Sequence, residues 1–219
     1  MMTSFHRPEF EPPHWFYVLM ARGPLLRRIY CRFVADLAEG VPPQARLLDV
    51  GAGPGYLLGY LSPRRPDIKL IGLDPAWQMV RGGRRQLARL APGAALHSLV
   101  GQAQTLPIRE AAVDRVVVTF SFHIWPNPAR GLTEIMRVLQ PGGRAWIYEM
   151  QQEATTPEIR AFAREENLPF PLVFLGFKVL SYHHSLKAQD FAAVAEQAGI
   201  DSLSLEPAHR LFWRAEFSK

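Results

Sequence analysis

The sequence predicts an α/β protein, an open and mostly parallel sheet with helices on both faces. Three observations predict it. Strand-like and helix-like stretches alternate along the chain, the pattern of strands joined by crossover helices. A glycine-rich turn, "GAGPG" at 51–55, sits between the apolar "ARLLDV" (45–50) and the helix-like "GYLLGYLS" (55–62). The third is "VDRVVVTF" (113–120), a continuous apolar run suited to a strand buried on both faces.

The elements follow in order. "ARLLDV" reads as the first strand, "GYLLGYLS" as its helix, and "IKLIGLD" (68–74) as a second strand ending on Asp74. "PAWQMVRGGRRQLARLA" (75–91) opens with Pro75 at a favoured first-turn position and continues as a helix that Gly82 and Gly83 weaken. "AALHSLV" (94–100) is a third strand and 113–120 the fourth. "NPARGLTEIMRVL" (127–139) is an amphipathic helix ended by "QPGG", and "RAWIYEM" (144–150) is a fifth strand. Two regions break the alternation. One is the stretch before Ala45, proline-broken and then helix-like in "LLRRIYCRFVADLAEG"; the other is 151–186, aromatic and punctuated by proline. A helix-like "KAQDFAAVAEQAGI" and two strand-like stretches, "DSLSLEP" and "HRLFWRAEF", close the chain.

With 219 residues, 48% of them hydrophobic, the chain is expected to form a single domain with a sizeable core. No run of eighteen apolar residues marks a membrane helix, and "MMTSFHRPEFEPPHWF" lacks the charged-then-apolar order of a secretory signal. A soluble, cytoplasmic protein is therefore expected. The single cysteine, Cys31, excludes an internal disulfide and a multi-thiolate zinc site. No clustered histidine and carboxylate spacing suggests a metal. The net charge of +5 raises the question of nucleic acid. Arg81, Arg84, Arg85 and Arg89 fall near one helical face but lack the interleaved aromatics of a stacking platform, so a solvated face is the preferred reading.

A glycine turn after the first strand of an open α/β sheet lies where its crevice forms, and missing side chains let a ligand approach the main chain beside a helix N-terminus. The spacing Gly51, Gly53, Gly55 departs from the dinucleotide pattern, because Tyr56 stands where the third glycine belongs. Nor does the turn end in the Gly-Lys-Ser/Thr of a phosphate loop.

Five stretches in order, "LLDVGAGPGYL", "LIGLDPAWQMV", "GQAQTLPI", "VDRVVVTFSFHIWPNP" and "IMRVLQPGGRAWIYEM", resemble the motifs of class I S-adenosylmethionine-dependent methyltransferases. The resemblance covers about residues 45–150. It implies a Rossmann-like, seven-stranded, mostly parallel sheet with the last strand antiparallel, and S-adenosyl-L-methionine as cofactor with S-adenosyl-L-homocysteine as product. It puts Asp49, Gly51, Ala52, Gly53 and Gly55 around the methionine and ribose of the cofactor, and Asp74, followed by Pro75, where a carboxylate accepts both ribose hydroxyls. Gln102, beside Ala103, stands where relatives commonly carry an acid for the adenine amine. It accepts through its carbonyl oxygen without charge assistance, and Gln104 competes for that role. Trp77 and Met79 are either neighbours of the adenine face or core. Phe120 and Ser121 offer backbone contacts, and His123 falls where relatives often have a histidine that orients an acceptor or takes its proton.

A sulfonium methyl is already electrophilic, so the enzyme mainly holds a nucleophile in line in a dry site. The acceptor must then be read from the additions: 1–44 as an N-terminal helical cap and 151–186 as a lid, flanking the core 45–150 and the closing elements 187–219. Tyr17, Trp125, Phe174, Tyr182 and His183 are the candidate acceptor contacts, suggesting a small apolar or aromatic molecule against the alternative of plain packing. His183 and His184, if extended, point to opposite faces, so one of them at most meets a ligand. No Asn-Pro-Pro-Tyr or Asp-Pro-Pro-Tyr follows the fourth strand and no Pro-Cys nucleophile is present, which leaves small-molecule O, N or C methylation by a monomer or homodimer. An RNA methyltransferase and a non-catalytic cofactor-binding partner protein are the rival readings.

Overall fold

A computed structural model of the chain describes residues 23–92 and 96–219, with the backbone alone for 179–186. Tyr17 and its aromatic neighbours Trp15 and Phe16 lie outside the described residues. Helix α1 (Pro24–Gly40) starts on a proline and buries Ile29, Phe33, Val34 and Leu37, a spacing that lines one helical face. Strand β1 (Arg46–Val50) is buried from Leu47 onward and runs into the glycine turn and the short helix α2 (Tyr56–Leu61). Then come β2 (Lys69–Asp74), α3 (Trp77–Leu90), β3 (Leu96–Val100) and β4 (Val113–Thr119). A single 3-10 turn (Phe122–Ile124) leads to α4 (Pro128–Val138), whose first turn is capped by the Asn127 side chain accepting from Arg130 N.

Strand β5 (Leu139–Gln151) begins directly after α4, so "LQPGG" is strand rather than the turn read from its proline and glycines. The extra residues of that run are taken up as a shift in the β4–β5 register between Val113 and Arg115. Helix α5 (Thr156–Glu165) opens on a reciprocal Thr155–Glu158 cap, and α6 (Phe170–His184) follows. His183 and His184 thus lie on helical, not extended, backbone, and the opposite-faces argument does not apply to them. A two-residue strand β6 (Ser185–Leu186), helix α7 (Ala188–Gln197) and the hairpin β7 (Ser204–Ala208) and β8 (Phe212–Ser218) complete the chain.

The sheet order is β3-β2-β1-β4-β5-β8-β7, with β6 pairing beside the end of β5. Strands β1 to β5 run parallel, and β8 is antiparallel to both β5 and β7. The seven-stranded architecture is as expected; β6 is an addition the sequence did not show. Chain order reverses between β1 and β4, which opens a crevice at the carboxyl edge there. Helices α4 and α7 cover one face with Leu132, Ile135, Phe191 and Val194. Helices α1, α2, α5 and α6 share the other, with Phe33, Leu57, Ile159, Phe162 and Phe177 in one apolar cluster. The segment 151–186 therefore contributes to the core as well as following the carboxyl end of β5. Ion pairs fasten it: Arg28 and Arg32 of α1 reach Glu166, and Arg210 of the β7–β8 turn reaches Glu165 at 2.6 Å.

Candidate functional site

The three glycines of the turn all have left-handed backbone, φ +80° at Gly51, +52° at Gly53 and +73° at Gly55. Their reasons for lacking a side chain differ. A Cβ on Gly51 would lie 2.2 Å from Ser121 Oγ, which donates to Val50 O at 3.0 Å and so stitches the end of β1 to the loop after β4. A Cβ on Gly55 would meet Gly83 Cα of α3 at 3.5 Å, and one on Gly83 would meet the Pro54 carbonyl carbon at 3.4 Å. Only at Gly53 is the surrounding space open. The Ser121 side chain accounts for Gly51, Gly55 is in ordinary contact with α3, and a ligand has room at Gly53. Gly83, read from sequence as a weak point of α3, faces the turn, where a Cβ would sit at ordinary contact distance. Gly51→Ala is expected to cost about 2–4 kcal/mol of unfolding free energy from the clash and the strained φ together. A Ser121→Gly change in the same chain should return the steric part, read by denaturant unfolding.

Two carboxylates flank the turn. Asp74, at the end of β2, accepts from Gly53 N through Oδ2 and from Ala76 N through Oδ1, both at 2.9 Å. One side chain thus holds the glycine turn and starts α3. Asp49, in β1, is fully buried, and among the described residues neither of its oxygens has a hydrogen-bond partner. Burial, and secondly the charge of Asp74, push its carboxyl up to about 8. Tyr30 of α1, which the sequence reading passed over, feels the same group: burial and then Asp49 raise its phenol well above the usual range. A buried carboxylate with no donor is costly unless a partner arrives.

Across the crevice, β4 is followed by Phe120, a non-glycine residue with φ +55° whose ring packs with Phe33, Tyr30 and Phe212. Ser121 then makes its bond to β1. The 3-10 turn follows, and His123 within it is 6% exposed. Its Nδ1 lies 3.0 Å from Glu149 Oε2, near the carboxyl end of β5. Glu149 was missed from sequence, although an acid closing the apolar "AWIY" was its visible sign.

The remaining expectations separate. Trp77 is 53% exposed at the start of α3, whereas Met79 is core. Gln102 faces solvent, and Gln104 is half-buried with its amide nitrogen unpartnered. Ala103 packs into the core, and Pro75 follows Asp74 on the exposed rim. Trp125 is also core, packed at a tilt against Phe122 and lying where a Gly131 side chain would be. Phe174 is half-buried against Phe170 in α6, while for Tyr182 and His183 only the helical backbone is described.

A mostly parallel sheet with a glycine turn and two carboxylates at its reversal point is an α/β architecture whose crevice lies at the carboxyl edge, the place where ligands sit in open sheets of this kind. The family profile described as "Methyltransferase domain" matches residues 48–147. The chain is 37% identical over 137 residues to malonyl-[acyl-carrier protein] O-methyltransferase of Methylococcus capsulatus, covering 62% of this chain and 48%, about half, of that protein. It is 30% identical over 128 residues to an uncharacterized methyltransferase of Bacillus subtilis, covering 58% of this chain and 68% of the relative. The solved structure of a SAM-dependent methyltransferase from Aquifex aeolicus has the same fold, with a TM-score of 0.72 at 18% identity over 94% of this chain and 98% of that one. The chain belongs to the class I S-adenosylmethionine-dependent methyltransferase family. Among the described residues no helix is long and apolar enough to cross a membrane.

Proposed function

We propose that this enzyme moves the methyl group of S-adenosyl-L-methionine to an oxygen, nitrogen or carbon of a small apolar or aromatic acceptor. The observation that carries the reading is Asp49, a buried carboxylate without a donor, beside the open approach at Gly53. Such a group fits a cationic ligand end: the amino group of the cofactor's methionine supplies the donors that Asp49 lacks. Asp74 holds the ribose hydroxyls while keeping its bonds to Gly53 and Ala76. Gly51, Ala52, Gly55 and Pro75 shape the backbone around the ribose and methionine, and the backbones of Phe120 and Ser121 border the reacting end. Gln102 and Ala103 lie toward the adenine, and the exposed Trp77 offers its ring to the base.

The cofactor when bound supplies an electrophilic methyl carbon, so no Lewis acid is required and we take the enzyme to be metal-independent. The chain's task is to orient the acceptor, exclude water and take a proton. His123 serves as that proton acceptor. Tyr30 and Phe120 wall the acceptor side from α1 and β4, and Tyr17, Phe174, Tyr182 and His183 are the further candidates from the cap and lid. In this reading the 219 residues work as one domain, in the cytoplasm, as a monomer or homodimer.

The test is titration with S-adenosylhomocysteine in a calorimeter, followed by transfer of labelled methyl from S-adenosylmethionine to a panel holding phenols, hydroquinones, primary amines and a malonyl thioester. Saturable binding of one ligand per chain and labelling of an aromatic member are expected. Absence of binding, or equal binding of a nicotinamide dinucleotide, overturns the reading. Arg81, Arg84, Arg85 and Arg89 are all exposed on α3, which keeps RNA as the second acceptor class. Labelling of RNA, with binding that falls steeply as salt rises, would move the reading there.

A further inference from the structure

Residues 101–112 carry the chain from the end of β3, the outer strand, to the start of β4 in the middle of the sheet, and they do so without a helix. A parallel crossover is ordinarily made by a helix, which satisfies its own backbone groups. Here side chains of α4 satisfy several of them. Glu134, 5% exposed, accepts from Leu106 N through Oε2 at 2.9 Å, and Arg137 donates to Leu106 O at 3.1 Å and to Ile108 O at 2.9 Å. The two side chains also hold each other, Arg137 Nη2 donating to Glu134 Oε2 at 2.8 Å and Nε to Oε1 at 2.9 Å. Hydrogen bonding from Arg137 keeps the Glu134 carboxyl below the usual carboxylate range, so it stays ionised and can only accept. Arg130, two turns before Arg137, donates to Gln104 O at 3.4 Å.

The clamp reaches the front of the loop as well. A Cβ on Gly101 would lie 3.0 Å from Pro107 Cδ, so the loop closes on its own start, and Thr105 N donates to Gln102 O at 3.2 Å across the tip. Gly101 N in turn donates to Asp74 O at 3.2 Å. The loop is thus rooted on the residue assigned to the ribose, within reach of the base that the ribose carries.

We propose that Glu134 and Arg137 are positioning residues for the nucleobase: by fixing the main chain on either side of Pro107 they set residues 101–105 in a shape that matches the donor and acceptor pattern of adenine. Both act through the loop rather than by touching the ligand. The proposal rests on the methyltransferase reading and adds how that site selects its base. A loop free to shift can turn its carbonyls and amides to either of two bases, whereas a fixed loop leaves groups unpaired against the wrong one.

Calorimetric titration with S-adenosylhomocysteine and with S-inosylhomocysteine separates this role from plain stability. The two ligands share ribose and homocysteine. Adenine offers an exocyclic amine beside an acceptor nitrogen, where hypoxanthine offers a carbonyl beside an N–H. The wild type should prefer the adenine ligand by about 10-fold or more. In Glu134→Gln the glutamine oxygen still accepts from Leu106 N, but its NH2 replaces the oxygen that faces Arg137 Nε, and two donors then oppose each other. The preference should fall to about threefold or less, chiefly through weaker binding of the adenine ligand. Loss of folded protein lowers both affinities alike and leaves their ratio, so the ratio reports the loop. A wild type that binds both ligands equally overturns the proposal, and so does a variant that keeps the wild-type ratio. If Glu134→Gln does not fold, Arg137→Lys decides: it keeps a positive charge beside Glu134 but reaches only one of the two carbonyls, and the ratio should narrow in the same way. A wild type that binds neither ligand sinks the methyltransferase reading together with this one, whereas an unchanged ratio sinks this one alone, so the two failures are distinguishable.

Discussion

Asp49→Asn is expected to make the ligand-free enzyme more stable at neutral pH and a much poorer binder of its cofactor. The sign follows from the carboxyl being pushed from an ordinary 3.8 up to about 8 by burial and by Asp74. Between those values the folded chain keeps a proton that the unfolded chain has already released, so stability falls as pH rises through that window and levels off above it, with a slope of at most about 1.4 kcal/mol per pH unit. Asparagine removes the titration but leaves a buried amide to satisfy. The net gain at pH 7 should be about 1–3 kcal/mol. Denaturant unfolding of both proteins at pH 5 and pH 8 checks it: the wild type should lose stability over that interval relative to the variant, and an unchanged difference would mean that Asp49 is not a strained acid. The cost appears on binding, where the loss of a counter-charge for a ligand ammonium should weaken S-adenosylhomocysteine about 10- to 100-fold. Stability surrendered at a ligand site is the usual trade.

Asp74→Ala should have the larger effect on binding. The change removes the acceptor for Gly53 N and for Ala76 N at once, so the glycine turn and the start of α3 lose their common tie. It also removes the carboxylate proposed to receive the ribose hydroxyls. Loss of about 2–4 kcal/mol of cofactor affinity is expected, a factor of roughly 30 to 1000, with about 1–2 kcal/mol of folding stability. Calorimetric titration of wild type, Asp74→Ala and Asp74→Asn distinguishes the two jobs. Asparagine keeps one acceptor oxygen, so it should recover most of the stability and little of the affinity. An alanine variant that binds as the wild type does would remove Asp74 from the site.

Much of the fold was legible because the relevant signals are local. The apolar runs of β1, β2 and β4 and the glycine turn each follow from a few adjacent residues, whereas Pro75, read as a first-turn residue, precedes α3, which starts at Trp77. Boundaries failed where a local rule met a tertiary one. "QPGG" has the composition of a turn, yet Leu139 before it pairs with Val113 and Arg144 after it with Arg115 and Ser218, which keeps it within β5. Residues 151–186 carry proline and aromatic punctuation that obscures two helices whose apolar faces join α1. Among site residues, Trp125 and Met79 look the same in sequence as Trp77, and only burial sorts the first two into the core and the last onto the rim.

The sequence by itself determined that strands and helices alternate around a glycine turn, and that carboxylates close the first two strands, because hydrophobic periodicity and backbone freedom act over neighbouring residues. Tertiary structure alone decided which glycine stays open, which carboxylate goes without a donor and which acid meets His123. Those outcomes depend on Ser121, Gly83, Asp74 and Glu149 arriving from distant parts of the chain, and desolvation and hydrogen-bond supply are properties of that assembled surrounding.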